Sequence, residues 1–182
     1  MRKHSIAPAR AARLFNLLAL GSVMAFAPPA GADTGISGAS DEDQVSNILG
    51  GELIAVGDFP TVVAIANTGL CTGTLIHPEW ILTAAHCITP SILGLGSQAQ
   101  VTARTTLVFD SVNVNSGGLR ISAAETIPHP NFSINNLGDN DIGLIRLTEP
   151  VTDRMVSRVN RDPGAATAGT PAVIVDYDPK TR

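Results

Sequence analysis

From residue 48 onward, apolar residues occur in short runs broken by Gly, Pro, Asn and Asp. Seven of these runs read as β-strands: 61–67, 74–77, 80–84, 100–109, 119–127, 142–147 and 172–175. Several are rich in Val, Ile and Thr, and turn residues such as Asn115-Ser116-Gly117-Gly118 separate them. Only Thr83–Ile88 carries a helical hint. No helical periods alternate with the strands, so a parallel sheet with crossover helices is disfavoured. Many short strands in one segment predict an all-β antiparallel fold, either a sandwich or a barrel, and periodicity does not choose between them.

The first part of the chain has a different pattern. Arg2, Lys3, Arg10 and Arg13 precede the apolar run 14–27, followed by Pro28-Pro29-Ala30-Gly31-Ala32. A basic start, a short apolar run and small residues before a cut describe a secretory signal peptide over 1–32. The run is 14 residues long and contains Asn16, whereas a membrane span needs about 20 apolar residues. The expectation is an exported protein, secreted and not membrane-bound once the signal is removed. Residues 33–47 carry Asp33, Asp41, Glu42 and Asp43 and no base. That stretch is too polar to repay the entropy of ordering and reads as a linker or propeptide.

Composition narrows the function classes. The chain has 182 residues, 44% hydrophobic and 15% charged, which excludes a disordered protein. A formal net charge of −4 gives no electrostatic case for nucleic acid. Two cysteines are too few for a disulfide scaffold or a cysteine-only zinc site. An oxidising compartment lets Cys71 and Cys87 pair across 16 residues, worth about 3 kcal/mol in the chain-entropy account. No metal or cofactor site is expected. His77, His86 and His129 lack ligand spacing, and the 110–118 loop has a single acid, Asp110.

The chemistry centres on His86. It sits in Cys71-Thr72-Gly73-Thr74-Leu75-Ile76, Trp80-Ile81-Leu82-Thr83 and Thr83-Ala84-Ala85-His86-Cys87. A histidine next to a bridged cysteine has its backbone fixed, as a general base requires. This run resembles the trypsin-like, chymotrypsin-fold serine endopeptidases, whose base lies in T-A-A-H-C. Asp141-Ile142-Gly143-Leu144-Ile145-Arg146-Leu147 resembles the family's D-I-A-L-I-x-L, in which the aspartate orients the histidine. Asp139 is the competing acid, and no alternating apolar run follows it directly. His129, in the H-P-N-[YF]-like stretch, and His77 are expected to be structural. Ile48-Leu49-Gly50-Gly51 resembles the I-V-G-G start of the mature chain, so Ile48 is expected as the mature N-terminus of a zymogen. Asn47 stands where the family has Arg or Lys before the cut.

The resemblance implies an antiparallel Greek-key β-barrel, the first barrel of a chymotrypsin-like double barrel, over 48–182. It implies proteolysis by Ser/His/Asp acyl transfer on protein or peptide substrates, with Cys71–Cys87 as a supporting disulfide. One member of that triad has no counterpart in this sequence. No G-D-S-G-G occurs, and 41 residues follow Asp141. Ser116 lies before the aspartate, in a turn. The expectation is therefore a truncated peptidase domain that keeps His86 and Asp141, lacks the nucleophile and oxyanion hole, and is inactive alone. The alternative is a non-catalytic pseudoprotease serving as a protein-binding or regulatory module. Near its end the chain reads Asp176-Tyr177-Asp178 where the family continues into G-W-G or G-Y-G. If those glycines serve a left-handed turn, aspartate replaces them poorly.

Overall fold

A computed structural model describes residues 2–6, 52–165 and 167–177. Its strands are β1 (Arg2–Ile6), β2 (Glu52–Leu53), β3 (Val62–Ala66), β4 (Leu70–His77), β5 (Trp80–Thr83), β6 (Thr106–Phe109), β7 (Leu119–Pro128), β8 (Gly143–Leu147) and β9 (Ala172–Asp176). A 3-10 helix spans Ala85–Ile88, and α1 spans Gln98–Arg104. Six strands close into a barrel in the order β3-β4-β5-β8-β7-β6, every pair antiparallel. Closure resolves the choice that periodicity left open, and it leaves those six strands no free edge.

Alternation along the strands builds the core. Val63 and Ile65 of β3, Leu107 and Phe109 of β6, and Ile145 and Leu147 of β8 point inward with Leu75 and Ile81. Their neighbours Ala64 and Val108 point outward, yet they too are buried, beneath Ile54, Val114 and Tyr177. The outer cover is therefore partly made by the end of the chain. The backbone N–H of Tyr177 donates to Thr72 Oγ1 at 2.9 Å and ties β9 to β4. Asp176 lies within β9, and the non-glycine residues with left-handed φ among those described are Asp110 and Asn140. The position therefore does not require glycine here.

Two expectations change, and a strand appears where none was expected. Residues 100–104 are helix, not strand, and only 106–109 join the barrel. The Ser97 hydroxyl caps α1 by accepting from the Gln100 N–H, and the helix buries a single residue, Val101, so no period marked it. β4 begins at Leu70 rather than Thr74. Gly73 interrupts its apolar pattern, because a Cβ there would run into Ile81 and Ile65 on the two flanking strands. Finally, Arg2–Ile6, inside the segment read as an export signal, forms β1, which pairs with both β2 and β9. The rest of that segment, the acidic stretch 33–47 and Ile48 lie outside the described residues. Among the described residues no helix is long and apolar enough to cross a membrane.

Candidate active site

The ladder between β5 and β8 explains how two distant residues meet. Its pairs run from Trp80↔Arg146 to Thr83↔Gly143. Past Thr83 the chain turns into the 3-10 helix that carries His86, and just before Gly143 lies Asp141. Both therefore emerge at the same end of one strand pair. Asn140, at φ 56°, makes the turn into Asp141, and its carbonyl accepts from the Ile142 N–H at 2.8 Å. Asparagine tolerates this left-handed geometry better than most residues.

Asp141 holds the histidine twice. The His86 backbone N–H donates to Oδ1 at 2.9 Å, and Nδ1 lies 2.8 Å from Oδ2. A carboxylate facing Nδ1 selects the tautomer with the proton there and leaves the Nε2 lone pair available. The imidazole is 45% exposed and the carboxylate 21%, so solvent or a reactant can reach the ring. Burial by itself would raise the Asp141 carboxyl. The side-chain and backbone hydrogen bonds from His86, its charge, and a bond from the Ala85 backbone outweigh that, and the group sits below its ordinary 3.8.

The 3-10 helix is pinned from several sides. Cys71 at the start of β4 is bridged to Cys87. Asn67 Nδ2 donates to the Cys87 carbonyl at 3.0 Å, Gln98 Nε2 to the Ile88 carbonyl at 2.9 Å, and Thr89 Oγ1 to the Ala85 carbonyl at 2.7 Å. Those carbonyls would otherwise be orphaned at the end of a short helix. Ile88 packs against Gly143, where any Cβ would meet its side chain. Asn67, Gln98 and Asn140 were not marked by the sequence pattern. An asparagine directly before the buried acid was the available signal for the last.

The remaining candidates sit elsewhere. Asp139 is exposed and accepts from Asn136 Nδ2 at 2.7 Å, within its own loop. His77 and His129 lie at turns, where each Nδ1 accepts a backbone N–H at 3.2 Å. Ser116 belongs to the β6–β7 turn, whose Gly117 and Gly118 have φ of 71° and 73°. Asp110 is taken up by Arg154. The two cysteine sulfurs and a His86 ring nitrogen, which spacing did not group, lie within 4.8 Å of one another.

A closed six-strand antiparallel barrel of this order is the fold of chymotrypsin-like serine peptidases. The chain belongs to the trypsin family, whose model, described as Trypsin, matches residues 48–178. It is 35% identical to a trypsin of Sus scrofa over 136 residues, 72% of this chain and 53% of that protein. It is 31% identical to cationic trypsin-3 of Rattus norvegicus over 136 residues, covering 73% and 50%. Vitamin K-dependent protein C of Rattus norvegicus is 35% identical over 108 residues, covering 58% and 22%. The chain spans about half the length of the two trypsins and less of protein C.

Proposed function

We propose that this chain supplies the base and its orienting acid to an exported serine endopeptidase. His86 is the general base and Asp141 holds it. The observation that carries this reading is the double grip of Asp141 on His86, which takes Nδ1 and leaves Nε2 with only the Cys87 sulfur beside it, at 3.3 Å. In acyl transfer, Nε2 takes the proton of a serine hydroxyl as that oxygen attacks the scissile carbonyl. Asp141 then stabilises the imidazolium, and Nε2 returns the proton to the leaving amine. The serine and the oxyanion-hole N–H groups come from sequence outside these 182 residues, since no G-D-S-G-G occurs within them. The substrate is a protein or peptide.

The same reading places export over 1–32 and activation by a cut before Ile48, with 33–47 as the removable segment. Removal of 1–32 would take β1 with it, so the precursor and the exported form differ at the edge of β9.

A chromogenic peptide amide tests the proposal. The isolated 182-residue chain is expected to show no turnover, because loss of the serine alone costs about 10⁶ in rate. A longer form carrying the serine is expected to turn over and to be inactivated by a fluorophosphonate. Serine-reagent-sensitive turnover by the isolated chain would overturn the proposal, as would a serine-bearing form whose turnover is indifferent to His86→Ala.

A further inference from the structure

The disulfide beside His86 brings three potential metal-ligand atoms together. Cys71 Sγ, Cys87 Sγ and a His86 ring nitrogen all lie within 4.8 Å of one another. His86 Nε2 is 3.3 Å from Cys87 Sγ, so the nitrogen that Asp141 does not hold lies beside the bridge. Two thiolates and one imidazole are the donor set of an open zinc site, with bonds of about 2.3 Å to sulfur and about 2.0 Å to nitrogen. Tetrahedral ligation needs ligand atoms roughly 3.5–4 Å apart. The sulfurs must separate from bonding distance, whereas the ring nitrogen, within 4.8 Å of both and 3.3 Å from Cys87 Sγ, needs a smaller shift.

The surroundings also match what such a site needs. Asp141 accepts at Nδ1, 2.8 Å away. A carboxylate behind a metal-bound histidine fixes its tautomer and raises its basicity. Two elements hold the donors and a third the supporting acid: β4 carries Cys71, the 3-10 helix carries His86 and Cys87, and the turn before β8 carries Asp141. The barrel ladders that join them do not pass through the disulfide. A fourth position is left for water.

We propose that reduction of Cys71–Cys87 creates a Cys₂His site for zinc or a similar divalent transition metal, with Asp141 as its supporting acid. A trialkylphosphine supplies the two electrons. It becomes the phosphine oxide by taking the oxygen of one water, and that water's two protons end on the thiols. Both protons pass to solvent when the thiolates bind the metal. Occupancy uses the Nε2 lone pair, so a metal-loaded ring accepts no proton. The site itself stands whether or not His86 serves a peptidase.

Cobalt(II) is the probe, titrated into the full chain with and without tris(2-carboxyethyl)phosphine. The reduced chain is expected to bind one Co²⁺ with thiolate-to-cobalt charge-transfer absorption, and one equivalent of Zn²⁺ is expected to bleach it. His86→Ala is expected to weaken binding at least about tenfold, and Asp141→Asn about 10–100-fold. Asp139→Asn is expected to change nothing. Metal held by unfolded cysteines would be indifferent to Asp141, which separates that case. The proposal is overturned if the oxidised chain binds equally well, if no thiolate band forms, or if both variants bind like the parent. It is also overturned if far-UV circular dichroism shows that reduction unfolds the barrel and metal does not restore it.

Discussion

Asp141 and Asp110 each accept two hydrogen bonds from one basic residue, but the two pairs have different surroundings. Around Asp110, Arg154 is 9% exposed and every donor is engaged. Nη1 and Nη2 grip Asp110 at 2.8 and 2.9 Å, Nε and Nη2 grip Asp153 at 2.8 Å, and Nη1 also reaches the Pro60 carbonyl. The guanidinium carbon stands 5.3 Å from the Phe109 ring centre. The hydrogen bonds it donates to Asp153 and Asp110 raise the Arg154 pKa still further, so it stays charged. This cluster clamps the β6–β7 turn to the strand-free segment after β8. Around Asp141 the partner ring is half-exposed, and one nitrogen is left for chemistry. A closed cluster is suited to stability, and an open one to proton transfer.

Substitutions can break this contrast, and the largest effect falls on the open pair. In a form of the protein carrying the serine, Asp141→Asn is expected to lower kcat about 10⁴-fold, because the wrong tautomer is favoured. Its denaturation midpoint is expected to move by no more than about 1 kcal/mol, as for an accessible ion pair. Arg154→Ala should reverse the pattern. It leaves the part-buried Asp110 without its fork while Asp153 stays solvated, and urea unfolding is expected to show a loss of about 1–2 kcal/mol. The loss stays below that of a fully buried pair, because Asp110 is itself a third exposed. A kcat change in this variant beyond the folded fraction would blur the division.

Tyr177 offers a smaller effect with a clean readout, since it is the chain's one tyrosine. Burial, and then the charge of Asp110, push its pKa up to about 12. Its hydroxyl has no hydrogen-bond partner among the described residues. Ultraviolet titration is expected to show phenolate forming near pH 12 in the folded chain and near 10 after unfolding. The raised value means that the stabilising contribution is whole below pH 10 and is lost as pH climbs toward 12. Asp141 works in the opposite direction. Its lowered pKa gives a contribution present above its ordinary 3.8 and lost as pH falls through the folded value. Between about pH 5 and 3, wild type is expected to lose slightly more stability than Asp141→Asn.

Much of the barrel was legible because its strands alternate. β7 and β8 carry one buried face each, and their expected bounds differ from those observed by a residue. The motifs named His86 and Asp141 as partners, and the ladder at Thr83↔Gly143 supplies the physical reason that these two separated residues meet. The rest was hidden by short or nonlocal causes. α1 buries one side chain, so it has no period to read. The first half of β4 was masked by Gly73, whose lack of a side chain is explained only by Ile65 and Ile81 on the flanking strands. The cover over Ala64 and Val108 comes from Tyr177, more than sixty residues away from either, and no local pattern announces it.

The central claim is that Asp141, and not Asp139, fixes the ring of His86 with its proton on Nδ1. Proton NMR of the imidazole N–H region tests it most directly. The account predicts a far-downfield Nδ1–H resonance that is lost in His86→Ala, lost or moved far upfield in Asp141→Asn, and unchanged in Asp139→Asn. A spectrum in which Asp139→Asn removes that resonance, or Asp141→Asn leaves it in place, would contradict the account.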